Sequence, residues 1–251
     1  PGLIFGALIP KGRYANISLL GRHLPPGAMD DFLDGNGFPA LFPDGLHMLC
    51  GCTPRVAVTA AGGYFADRMV AVGDAAVTRL YEELLIDGAV VLDLMSSWRS
   101  HLPEGHTTRV VGIGMNRAEM DDNPQLDEVA VQDLNASPVL PYDDATFDAV
   151  VCCVSIQYSV KPLELFAEVA RVLRPDGPFI VTFSNRCFPP KAVMGWAYAS
   201  NEEHCSIVRT YFERTPAFGE VAVEDRPPGP PIITDPLYAV WARRQSFTEV
   251  S

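Results

Sequence analysis

No apolar run in this 251-residue chain approaches the roughly 18–20 residues needed to cross a bilayer, so no transmembrane segment is expected. The opening PGLIFGALIP is short and broken by proline, which fits neither a signal peptide nor a span. An initiator methionine is missing as well, so the chain reads as processed or as part of something longer. Clusters of lysine and arginine are also missing. The formal charge is 19 − 31 = −12, with the acidic residues dispersed, and a nucleic-acid partner, repelled at long range, is not expected. The six cysteines (Cys50, Cys52, Cys152, Cys153, Cys187 and Cys205) form no CxxC ladder, so no structural metal site is expected. His47 stands near Cys50 and Cys52, but no fourth ligand accompanies them. Cys152 and Cys153 sit in a strongly apolar run and read as small buried hydrophobes, which suits a reducing intracellular compartment. No internal repeat is present.

What remains is ample material for a packed core: 48% hydrophobic and 20% charged residues. The chain changes texture along its length. Residues 1–73 are rich in turn signals (LPPG, LDGNG, FPDG) between short extended pieces such as Tyr14–Leu20 and Arg55–Ala60. Over residues 74–251, helical and strand patterns alternate, which predicts βα units and a mainly parallel sheet. Apolar residues at helical spacing predict a helix from an Asp74 cap to Asp87, stopped by Gly88. Continuous apolar runs predict strands at Ala89–Leu94, Arg109–Ile113, Glu128–Val131, Phe147–Ser155 and Phe179–Phe183. Pro162 opens a helix whose stripe is Leu163, Phe166, Val169, Ala170 and Leu173, and RPDG ends it. Helices around Lys191–Ala199 and Glu202–Glu213 and a last strand at Leu237–Arg243 complete the pattern.

Ligands of such sheets bind beyond the carboxyl ends of the strands. That rule selects the loops holding Asp93, Asn116, Asp133, Ser155 and Gln157.

The run DLNASPVLPYDDATFDAVVCCVSIQYSVKPLELFAEVARVLRPDGPFIVTFSNR resembles the central block of the type 11 class I methyltransferases. More narrowly, VVLDLMSSWRSHLP, VVGIGMN, SIQY and DPLYAVWA are similar to a branch found in cyanobacteria and plants, over about residues 81–243. The resemblance implies a Rossmann-like sheet with an antiparallel last strand. It also implies S-adenosylmethionine (SAM) as cofactor and methyl transfer to a small-molecule acceptor. Carried onto this chain, it places the cofactor among Asp93, Ser96, Ser97, Asn116, Asp133, Leu134, Ser155 and Gln157. Tyr158 would line the acceptor space and His101 is the candidate general base. Asn185 and Arg186 are further candidates for substrate contact. The plant and cyanobacterial likeness points to a plastid.

Two positions depart from the family pattern. Its first loop is a D/E-x-G-x-G turn, whereas this chain reads Asp93-Leu94-Met95-Ser96-Ser97-Trp98. Ser96 and Ser97 are expected to cap a short following helix and offer hydroxyls to the SAM carboxylate, while Met95 and Trp98 add bulk. The acid that clamps the ribose after the second strand is replaced by Gly114, leaving Asn116 nearby. Ahead of this region, PKGRYANISLLG, CGCTPRVAV and YFADRMVAVGDAAVTRLY resemble the later half of geranylgeranyl-reductase-type FAD oxidoreductases, with Asp74 at a flavin-facing position. The dinucleotide-binding half of that family is missing, so FAD binding by this chain is not expected. The N-terminal extension is instead expected to pack on the larger domain or to meet a protein partner. An alternative to the enzyme follows from the same departures: a catalytically inactive methyltransferase-like subunit of a larger complex.

Overall fold

The computed structural model describes residues 3–11, 14–21, 75–185, 187, 191–226 and 236–246. The chain divides into two compact units, Pro1–Ala71 and Val72–Ser251. In the first, β1 (Leu3–Lys11) and β2 (Tyr14–Gly21) form an antiparallel hairpin. The opening segment is therefore a strand, joined to the extended piece that begins at Tyr14. His47, Cys50, Cys52, Arg55–Ala60 and Asp74 lie outside the described residues.

The second unit is a seven-stranded sheet. Its strands are β3 (Ala89–Leu94), β4 (Thr107–Gly114), β5 (Glu128–Val131), β6 (Ala149–Cys153), β7 (Pro178–Phe183), β8 (Ala222–Asp225) and β9 (Tyr238–Arg243). Their order is β5-β4-β3-β6-β7-β9-β8. The β3–β4, β4–β5, β3–β6 and β6–β7 pairs are parallel, and β9 runs antiparallel to both β7 and β8. The alternation seen in the sequence thus yields the expected sheet with an antiparallel last strand. Strand β8 alternates half-buried and exposed residues at the sheet's edge, and its four residues give too short a pattern to be legible alone.

Side-chain parity divides the core. Leu92, Leu94, Val150, Cys152, Phe179, Val181 and Phe183 belong to one cluster. It is covered by α3 (Pro162–Val172) and α5 (Asn201–Glu213), through Phe166, Val169, Val208 and Phe212. Ala89, Val91, Ala149, Val151 and Ile180 belong to a second cluster, covered by Ala76, Val77, Leu80 and Tyr81 of α1 (residues 75–84). Helix α2 (Arg117–Asp121) follows β4, and α4 (Met194–Ala197) precedes α5. Proline opens α3 at its first turn, and Ser200 with Glu203 closes a capping box on α5.

Several boundaries shift for local reasons. Helix α1 stops at residue 84, and Gly88 takes φ +77° to turn the chain into β3. Strand β6 ends at Cys153, because Val154 turns to φ +50°. The helix expected around Lys191–Ala199 is reduced to the four residues of α4, whose Val193 cap offers no side-chain bond. In the RPDG turn Asp176, at φ +64°, makes the left-handed bend. Gly177 is needed for space: a Cβ there would lie 2.7 Å from the Asp148 carbonyl oxygen.

Candidate functional site

The chain passes from β3 outward to β4 and β5, then returns to β6 on the other side of β3. The switch point of the sheet thus lies between β3 and β6, and in sheets of this kind ligands bind beyond the strand ends at that point. Asp93 stands at the end of β3 and is buried. Its Oδ2 accepts hydrogen bonds from Ser96 Oγ at 2.5 Å and Ser100 Oγ at 2.7 Å. Burial pushes its carboxyl up to about 6, and the two serine hydroxyls hold it back only in part. Ser100 in turn accepts from Asn123 Nδ2 at 3.0 Å, and that amide also donates to the Ser97 carbonyl at 2.9 Å. A buried polar chain, Asn123–Ser100–Asp93–Ser96, thus fixes the loop.

That loop makes its bend without glycine. Met95 adopts φ +59°, a left-handed conformation that costs a residue with a Cβ roughly 1–2 kcal/mol. Its side chain packs half-buried against the larger core cluster. No helix follows: residues 96–103 are irregular, so Ser96 and Ser97 cap nothing. Their hydroxyls are used sideways instead, Ser96 on Asp93 and Ser97 on Glu119 Oε2 at 2.7 Å. Trp98 is half-buried in the same loop.

The two departures from the family pattern are one structural fact. The Ser96 backbone crosses the end of β4, its N–H donating to the Ile113 carbonyl at 2.9 Å. A Cβ on Gly114 would lie 2.5 Å from the Ser96 carbonyl oxygen, and one on Gly112 would lie 2.5 Å from Leu126 Cδ1. No acid can stand at 114 while the loop takes this course. Asn116 is exposed and caps α2: its Oδ1 accepts from the Glu119 N–H at 3.4 Å, and its Nδ2 donates to Glu119 Oε1 at 2.7 Å.

Beyond β6, Val154 is held in its strained conformation from both sides. Its N–H donates to the Thr182 carbonyl at 2.8 Å, and its own carbonyl accepts from Gln157 Nε2 at 2.9 Å. A β-branched residue at φ +50° is a conformational outlier of the kind that collects at functional sites. Ser155 is buried and donates to the Cys153 carbonyl at 2.9 Å. Gln157 is 1% exposed, and its Oε1 is buried without a partner among the described residues. A buried amide oxygen left unpaired is costly, and a ligand N–H or O–H would relieve it. Tyr158 closes the short 3₁₀ turn Ile156–Tyr158 and is half-buried.

At the end of β5, Asp133 is exposed and builds an Asx turn, its Oδ1 accepting from Asn135 N at 2.9 Å and Ala136 N at 3.3 Å. Leu134 is buried in the larger core cluster. Asn135 joins this turn to the β6 loop: its Nδ2 donates to the Tyr158 carbonyl at 3.0 Å, and its Oδ1 accepts from Val160 N at 2.9 Å. His101 lies at the far end of the serine loop at φ +56°, its carbonyl bound by Thr78 Oγ1 of α1 at 2.9 Å. Asn185 is exposed after β7, and Arg186 is outside the described residues. Sequence reasoning missed Ser100, Asn123 and Glu119. Their only signal was polarity between strand ends, which ordinary loops share.

Residues 98–181 match the family model described as a methyltransferase domain. A malonyl-[acyl-carrier protein] O-methyltransferase from Marinomonas sp. (strain MWYL1) is 32% identical over 65 residues, 26% of this chain and 24% of that protein. The chain thus spans about a quarter of the length of that curated relative. Among solved structures, a chain from the Haloferax volcanii complex of the Trm112 methyltransferase activator with a methyltransferase superposes with a TM-score of 0.53 at 16% identity. It covers 74% of this chain and 93% of that one. A SAM-dependent methyltransferase from Thermotoga maritima gives 0.50 at 16% identity, over 72% of this chain and 94% of its own. At such identities the superpositions speak for the fold. The sheet has the Rossmann-like, mostly parallel architecture of these methyltransferase structures.

Proposed function

We propose that the larger unit is a SAM-dependent methyltransferase acting on a small-molecule acceptor. The observation that supports this reading is the pair of loops that follow β3 and β6 at the switch point: a pinned serine loop after one strand, and after the other a strained, amide-bearing turn with an unpaired buried acceptor. The donor set suits SAM: carboxylate and amide oxygens for its amine and hydroxyls, and an apolar neighbour in Leu134 beside Asp133 for a flat base. Bound there, SAM supplies a methyl group on a sulfonium, and transfer requires mainly that the acceptor be held in line. Gln157 Oε1 is the acceptor for the ligand's ammonium, and Asp93 keeps the serine loop in place beneath it. Tyr158 lines the acceptor space from the β6 side. His101 is the candidate base for acceptors that must lose a proton.

The reading of the chain as an inactive accessory subunit draws on the glycine-free turn and on Gly114. Met95 makes the left-handed bend nonetheless, so the missing glycine does not remove the turn. Incubation with methyl-labelled SAM and a cell extract, followed by size fractionation, tests the acceptor class. Label is expected in the low-mass fraction; label confined to protein or nucleic acid would overturn it.

A further inference from the structure

We infer that His204 is the base for an acceptor that enters as a hydroxyl, with the Trp196 indole as the donor that orients it. The inference rests on the reading of the larger unit as a SAM-dependent methyltransferase. It begins with three buried side-chain atoms that have no hydrogen-bond partner among the described residues: Gln157 Oε1, Trp196 Nε1 and His204 Nδ1. One run of hydrogen bonds joins the residues that carry them. The Gln157 carbonyl accepts from the Val193 N–H at 3.0 Å, the Val193 carbonyl from the Trp196 N–H at 2.9 Å, and the Trp196 carbonyl from His204 Nε2 at 2.9 Å. Helix α4 and the first turn of α5 are thereby tied to the turn after β6. Phe183, the last residue of β7, meets the Trp196 ring edge-on with centroids 5.1 Å apart. The corner therefore stands at the carboxyl ends of β6 and β7, the edge of the sheet at which ligands bind.

The tautomer of His204 follows from its partner. A carbonyl oxygen only accepts, so Nε2 carries the proton and Nδ1 presents a lone pair. An imidazole base needs that arrangement: one nitrogen oriented by a fixed acceptor, the other free to take a proton. The Trp196 ring stacks on the imidazole, 4.1 Å between centroids and 12° from parallel. Trp196 is 2% exposed and His204 6%, so each unpaired nitrogen is costly and a ligand group would relieve it. The indole N–H only donates and this Nδ1 only accepts. A hydroxyl answers both, its oxygen accepting from the indole and its proton passing to the imidazole. A carboxylate acceptor has no proton to give and needs no base. The adjoining Phe183 and Tyr238 rings, 5.9 Å apart, suit a hydroxyl carried on an aromatic ring. In the transfer the acceptor's O–H bond breaks with its proton on Nδ1, and the oxygen's pair bonds the methyl carbon. The carbon–sulfur bond opens with its pair left on sulfur. For such an acceptor the proton goes to His204 and not to His101, which lies in the loop after β3.

The test combines nitrogen NMR of the full chain with kinetics of two variants. In the wild type, His204 Nε2 is expected to be protonated and Nδ1 bare. Phenol, titrated as a probe, should shift Nδ1 and the Trp196 indole N–H, whereas toluene should leave both in place. His204→Gln keeps a donor for the Trp196 carbonyl and removes the basic nitrogen. It is expected to slow labelling of the low-mass fraction from methyl-labelled SAM by roughly 100- to 10,000-fold, with SAM affinity held within about twofold. Trp196→Phe keeps a stacking ring without the N–H and should slow labelling by roughly 3- to 10-fold. Three results would each overturn the inference with the SAM reading intact: a protonated Nδ1, a phenol titration that moves neither nitrogen, or wild-type labelling by His204→Gln. A fall in SAM affinity that accounts for the lost rate does the same, since it marks a structural role. Should His204→Gln fail to unfold cooperatively on heating, the two NMR results decide. A wild-type chain that binds no SAM removes both readings.

Discussion

Asp93 is a buried carboxyl held, among the described residues, by two hydroxyls and no cation, and that combination has a measurable cost. Its folded-state value of about 6 exceeds the ordinary 3.8, so the native state binds the proton more tightly than the unfolded chain. Its contribution to stability is therefore fully present below about pH 4 and lost as pH rises through 6. A shift of this size corresponds to about 3 kcal/mol. Asp93→Asn is expected to be stabilised relative to wild type at pH 7.5 by on the order of 2–3 kcal/mol more than near pH 4, read from urea midpoints. An advantage that does not change with pH would contradict this. The second prediction concerns Gly114. Restoring the acid that the family pattern carries, by Gly114→Asp, should not improve the site. With Cβ 2.5 Å from the Ser96 carbonyl, it should cost about 2–4 kcal/mol and displace the loop. The sequence showed which residues were unusual, Met95 and Gly114, but not that they share a cause. The cause is a contact between the serine loop and the end of β4, and no pattern within either segment encodes it.

The elements were legible where burial is two-sided or amphipathic. Strand β3 matches its apolar run residue for residue, and α3 follows from Pro162 and its stripe. Phe166 shows why: it meets Phe179, Tyr211, Phe212 and Phe218 edge-on, with ring centroids 4.8–6.4 Å apart. Phe166→Ala should cost about 3–5 kcal/mol in chemical denaturation, because no neighbour can fill the space. On its polar side α3 clamps the loop that leads from β5 to β6. Arg171 donates to the Leu140 and Tyr142 carbonyls, and Glu168 accepts from Leu140 N. The elements that were not legible are those set by neighbours. Strand β8 exists because β9 offers an edge, and β6 ends early because Val154 is drawn to Thr182. Val154 is 38% exposed, so Val154→Gly gives up little packing and relieves a left-handed β-branched residue. We expect it to raise stability by about 0.5–1 kcal/mol. A loss of more than 1 kcal/mol would show that the side chain is not strained there.

At the scale of the molecule, the alternation of helix and strand determined the architecture, and the order β5-β4-β3-β6-β7-β9-β8 puts the switch point between β3 and β6. Of the residues that strand-end reasoning names, Asp93 and Ser96 stand at and after the end of β3, and Ser155, Gln157 and Tyr158 follow β6. Asp133 and Leu134 join them through Asn135, which ties the β5 turn to Tyr158. His101 stands at the far end of the serine loop, its backbone carbonyl bound to α1. Among the described residues no helix is long and apolar enough to cross a membrane. The central claim is that the serine-lined bend leaves a working cofactor site without glycine, and titration of SAM into the wild-type chain by calorimetry measures it directly. A saturable heat with micromolar Kd is predicted; no heat at millimolar SAM would contradict it.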